Sequence, residues 1–246
     1  MPLVFAAIAP HGGIAIAEAC SVDERDVAIK TRAGMEELGR LFEGAKPDVA
    51  VVATPHNVHI CNALGVVVAN RVAGRLNGVT PPIQLDLASD TQLAWRVLES
   101  LGAAGLSAVG VSFGSNDLAT AVAPMDWGAL IPLWFMGGRG TPPVQVVVVT
   151  PSRDLPGSDH LTAGAAIAAA AVVSELVGSD RLDRLLEIPR ELVEKAKADS
   201  WWQMLMLQGA TREAGRVQRA QWKGTLISYE APTYFGMLTA AYAPAS

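Results

Sequence analysis

The sequence predicts an α/β fold: one domain over residues 1–246, with a central, mainly buried sheet flanked by helices. Two apolar runs, residues 3–9 and 49–53, each stop at a proline followed by a histidine, as a buried strand does when it feeds a functional loop. Between them, Met35, Leu38, Leu41 and Phe42 recur at the three-and-four spacing of an amphipathic helix over residues 31–44. The result is a strand, helix, strand unit. No segment reads as a linker between two cores, and 246 residues fit one large domain.

The first strand ends at Pro10-His11-Gly12-Gly13. The second follows the turn signal Lys46-Pro47-Asp48 and ends at Thr54-Pro55-His56-Asn57. Residues 90–101 read as a helix, 108–113 as a short buried strand, and the valine-rich run 144–150 as another strand. Between those strands, prolines and glycines around Asp126-Trp127-Gly128 predict loop and short helix near the site, and Gly137-Gly138-Arg139-Gly140 a loop. That glycine cluster lacks the spacing of a phosphate-binding or dinucleotide-binding loop.

The alanine-rich stretch 161–177 reads as a packed helix, too short and too interrupted by Gly164 and Glu175 to cross a bilayer. Residues 179–186 and 190–198 read as two further helical pieces, with Pro189 at the start of the second. Trp201, Trp202, Met204, Leu205 and Gln208 continue a helix whose large side chains are read as core packing. Residues 225–229, β-branched and apolar, deliver Glu230 at a strand end.

Half of the residues are hydrophobic, enough for a core of this size, and disorder is excluded on that ground. The formal net charge is −5 and the basic residues are scattered, which argues against a nucleic-acid partner. Two cysteines, Cys20 and Cys61, form neither a disulfide framework nor a zinc-finger spacing. The start of the chain lacks the positive region of a signal peptide. A reducing, cytoplasmic location without a membrane partner is the expectation.

His11, His56 and Glu230 all stand at predicted strand ends, where the ligand sites of open α/β sheets gather. A metal site at the carboxyl ends of the strands is the expectation, and two imidazoles with one carboxylate leave a divalent metal with open positions. That arrangement suits non-haem iron(II) and oxygen, and it also suits catalytic zinc.

Pro10-His11-Gly12, Thr54-Pro55-His56-Asn57, Ser228-Tyr229-Glu230-Ala231-Pro232, and Asp126-Trp127-Gly128 with Ile131-Pro132-Leu133 carry a resemblance. Along nearly its whole length the chain resembles the class III extradiol ring-cleavage dioxygenases, the family of the catalytic B subunit of protocatechuate 4,5-dioxygenase. The resemblance implies that His11, His56 and Glu230 bind Fe(2+). It implies an aromatic substrate, a catechol or 2-aminophenol, cleaved with O2 to a muconic semialdehyde in aromatic catabolism or biosynthesis. It also implies a homo- or hetero-oligomer.

The chain departs from the family pattern twice. Trp127 stands where many relatives have a histidine. It cannot accept a proton, and is expected to shape the substrate pocket or stack on the ring. The relatives' Ser-Gly/Ala-Asp-Leu-x-His segment, which supplies an acid/base histidine, has no counterpart after the alanine-rich helix. Residues 172–174 are read as the stump of its strand. Candidate catalytic bases are then His59, three residues beyond His56, and His160, which otherwise caps or sits at the surface with Ser158 or Asp159 as helix cap. The rival reading is a non-catalytic relative, a regulatory subunit or protein-binding module. A metal-dependent hydrolase is the third.

Overall fold

The computed structural model describes residues 3–171, 190–195, 200–232 and 236–245. Strands and helices are mixed along the chain, as in an α/β fold, and among the described residues the strands pair in three sheets rather than one. The first is antiparallel, with β10 (Met237–Pro244) between β1 (Ala6–Ile8) and β9 (Trp222–Glu230). The second, in the order β2 (Val49–Ala53), β8 (Gln145–Thr150), β3 (Leu64–Val67), β6 (Ala108–Val111), is parallel except where β3 meets β8. The third places β4 (Arg71–Arg75) between β5 (Gln84–Ala88) and β7 (Val122–Pro124).

The valine-rich β8 is central in the second sheet, and all its residues after Gln145 are buried, as expected of a strand covered on both faces. The predicted strands at 49–53 and 144–150 and the helices at 31–44 and 90–101 lie within a residue or two of the observed elements. The third sheet was not legible. Its strands are short: β5 and β7 alternate exposed and buried residues, but over five and three positions, and β4 does not alternate.

Two apolar clusters flank the second sheet. On one side α1 (Ile29–Ala45) and α3 (Trp127–Phe135) contribute Met35, Leu38, Leu130 and Leu133. On the other, α2 (Thr91–Ala103) and α4 (Gly157–Ala171) contribute Leu93, Val97, Ala163 and Ile167. Asp90 caps α2 by accepting the Leu93 N–H at 2.8 Å.

Helix α6 (Trp201–Gln218) lies against α4 at glycine contacts: a Cβ on Gly164 would fall 1.8 Å from the Met206 carbonyl oxygen. Trp201, Trp202, Leu205 and Gln208 are buried, in keeping with core packing. A short helix, α5 (Arg190–Lys195), covers part of the predicted 190–198 segment. The helix read over 179–186, the strand stump at 172–174 and the far end of the alanine-rich helix lie outside the described residues. Among the described residues, no helix is long and apolar enough to cross a membrane.

Candidate metal centre

His11 follows β1 in a loop that lies on the first residue of β10, for a Cβ on Gly12 would meet Met237 Cε at 2.6 Å. Met237 pairs in turn with Glu230, so His11 and Glu230 occupy the same end of the first sheet. His56 comes from the second sheet. Thr54, fully buried beyond the end of β2, donates its N–H to the Val149 carbonyl and sets where the His56 loop leaves the sheet.

These two loops bring the imidazoles together, with His11 Nε2 and His56 Nε2 2.9 Å apart. Two nitrogens bound at right angles to one ion at ~2.1 Å each would stand ~3.0 Å apart. The spacing therefore suits a chelating pair, and the donor set fits a borderline divalent metal.

Glu230 is placed differently. Its Oε2 accepts the Thr31 backbone N–H at 3.0 Å and the Thr31 hydroxyl at 3.1 Å. Thr31 lies in the first turn of α1, whose N-cap residue, Ala28, has no side chain able to cap it. Glu230 thus caps α1 from across the chain and sits at the positive end of its dipole. Its ligand atoms do not join the two imidazole nitrogens in a group lying within 4.8 Å of one another.

Trp127, half exposed at the start of α3, stacks on His56 with ring centroids 4.4 Å apart and planes 26° from parallel. Its neighbour Asp126 ties the region together. One oxygen accepts from Thr54 Oγ1 at 2.6 Å and the Gly128 N–H at 2.7 Å, the other from Asn57 Nδ2 at 3.1 Å. Asp126 is thus both the cap of α3 and the anchor of the loop that carries His56.

The two base candidates part company. His59 is exposed, its Nε2 3.3 Å from Asp154 Oδ2, in a cleft shared with Pro55, Asn57, Arg153 and Trp202. His160 is neither a cap nor a surface residue, which corrects the structural reading made from sequence. It is fully buried in α4, which begins at Gly157 and so takes in Ser158 and Asp159, and its Nδ1 donates to the Pro156 carbonyl at 2.9 Å. Burial lowers its pKa below the ordinary 6.5, against the opposing effects of the Pro156 backbone, Asp159 and the Ser152 backbone.

Thr31, Asp154 and the lining role of Trp202 escaped the sequence reading. Asp154 does carry a signal: it follows β8 by four residues, the strand-end position that drew attention to the histidines. Thr31 carries none, because its partner lies 199 residues away.

The family described as the catalytic LigB subunit of aromatic ring-opening dioxygenase matches residues 5–177, a span that takes in all four histidines and ends before Glu230. The crystal structure of uncharacterized protein JW3007 from Escherichia coli K12 is similar in fold, with a TM-score of 0.50 at 15% identity. The likeness covers 84% of this chain and 91% of that one. No curated protein matches the chain.

Proposed function

The chain belongs to the family of the catalytic LigB subunit of aromatic ring-opening dioxygenases, and from that premise we propose that it is an extradiol dioxygenase dependent on non-haem iron(II). The proposed substrate is a catechol or 2-aminophenol cleaved with O2. The observation that carries this reading is the 2.9 Å approach of His11 Nε2 to His56 Nε2 at the ends of β1 and β2.

His11, His56 and Glu230 would hold the iron, Glu230 after a turn of its carboxylate relative to Thr31. When bound, the ion supplies the Lewis acidity and one-electron chemistry that ring opening by O2 needs. Trp127 keeps His56 in place by stacking, and its half-exposed indole offers an apolar face to an aromatic ring. His59, oriented by Asp154 and open to the cleft, is the acid/base candidate for the substrate hydroxyl. His160, sealed in α4, is the weaker candidate, because proton transfer needs hydrogen-bond reach of the substrate.

Purified protein loaded anaerobically with iron(II) and given a panel of catechols and 2-aminophenol should consume oxygen and form a yellow ring-fission product. Both should vanish in His11→Ala and His56→Ala. A second reading, a non-catalytic relative acting in the cytoplasm as a regulatory or binding subunit, draws on the engagement of Glu230 by Thr31. Iron bound at one equivalent without oxygen uptake across the panel would favour that reading. Hydrolysis supported by zinc, without oxygen uptake, would favour a hydrolase.

A further inference from the structure

A second group of metal-ligating side chains shares no residue with the paired imidazoles. His59, Cys61 and Asp154 each offer one ligand atom, and these atoms lie within 4.8 Å of one another. Three donors around one zinc-class ion, at ~2.0–2.3 Å each, would stand ~3.3–3.8 Å apart in a tetrahedral site. All three side chains are exposed, so rotation about their own torsions can cover that difference without moving the backbone.

The backbone beneath them is already tied. Ser152, fully buried, donates its hydroxyl to the Ile60 carbonyl at 2.9 Å and so joins the loop carrying His59 and Cys61 to the loop carrying Asp154. Asn62 takes a left-handed backbone conformation, φ 55°, that turns the chain directly after Cys61, and its N–H donates to Asp154 Oδ2 at 3.3 Å. The adjacent Arg153 guanidinium lies over the Trp202 ring, 5.4 Å from its centroid. Asp154 therefore faces an imidazole and a thiol.

We propose that His59, Cys61 and Asp154 form a second metal site, for a thiophilic divalent cation of the zinc, cobalt or copper class. The donor set decides the class. A thiolate and an imidazole select borderline and soft ions over magnesium and calcium, which prefer oxygen. Binding forms a metal–sulfur bond and releases the Cys61 thiol proton to solvent, so affinity rises with pH and no redox partner is needed. Three protein ligands leave a fourth position for water. Metal on the His59 ring nitrogen and proton acceptance by that nitrogen exclude one another. Loading this site would therefore oppose the acid/base role proposed for His59. The site itself does not depend on the ring-opening reading.

The test is a titration of the reduced, full-length protein with cobalt(II), read as the near-ultraviolet thiolate-to-cobalt charge-transfer band. The band should appear in wild type and saturate. It should persist in Cys20→Ser and in His11→Ala/His56→Ala, and be lost in Cys61→Ser. His59→Gln and Asp154→Asn should weaken cobalt binding at least about tenfold. No band in wild type, or a band that survives Cys61→Ser, would overturn the proposal and leave His59–Asp154 as an ordinary surface pair. All substituted residues here except Cys20, His11 and His56 are exposed, so the key variants leave the core untouched.

Discussion

Thr31 gives both its backbone N–H and its hydroxyl to one oxygen of Glu230, joining the first turn of α1 to the end of β9. The carboxylate supplies the cap that Ala28 cannot. Glu230→Ala should therefore destabilise the fold by about 1–2 kcal/mol even without metal. Thr31→Val, which keeps the N–H, should cost about 1 kcal/mol. Urea denaturation of the metal-free protein measures both. Equal stability of Glu230→Ala and wild type would refute the capping role.

The Trp127 ring should shield His56. In proton NMR spectra the His56 ring protons should shift downfield on Trp127→Ala, because the ring current of the stacked indole is removed, while those of His160 should stay where they are. Thermal stability should fall by about 1 kcal/mol, the scale of one aromatic pair. Unchanged His56 resonances would mean that the rings do not stack in solution.

The Asp126 carboxylate accepts three hydrogen bonds, among them the cap of α3. Asp126→Ala should cost about 2 kcal/mol and loosen the loop that aims His56, lowering metal affinity about 10–100-fold. Calorimetric titration with iron(II) under argon separates the two effects from denaturation data. Gly128→Ala should reproduce part of the loss, since its Cβ would press 2.5 Å from Thr54 Oγ1 and 2.7 Å from Asp126 Oδ1.

His160 makes stability depend on pH. Its pKa in the folded chain is lower than the ordinary 6.5, so below that value the unfolded chain takes up a proton that the folded chain does not. Stability should be indifferent to this group above about pH 7.5 and should decline as pH falls through 6.5 toward the lowered folded value. Chemical denaturation at pH 5.5 and 7.5 should show the decline in wild type and a smaller one in His160→Gln. An equal decline in both would assign it to other groups.

The contact of α4 with α6 leaves no room for a side chain at Gly164 or Gly209. A Cβ at either would fall within 2 Å of a backbone carbonyl oxygen of the facing helix. Either glycine to alanine should cost about 3 kcal/mol, because the obstructing atoms are backbone and can move only if the helices separate. A melting temperature unchanged within a degree would exclude this packing.

Much of the frame was legible because it depends on local pattern. The buried run of β8, the apolar face of α1 and the strand-end positions of His11, His56 and Glu230 all follow from periodicity and punctuation over a few residues. The third sheet was hidden because its strands are brief and β4 pairs with β7 residues 51 positions away. The exposure of His59 and the burial of His160 were hidden too, since one histidine looks like another until its neighbours are placed.

By itself, the sequence determined the α/β class, the residue types available for a metal and the family to which the chain belongs. Only the tertiary structure decided that His11 meets His56, that Glu230 caps α1 through Thr31, and that Asp154 joins His59 and Cys61. The physical reason is range. Strand and helix periodicity is written into consecutive residues, whereas a hydrogen bond or a ligand set depends on side chains brought together from distant segments by the packing of the whole chain.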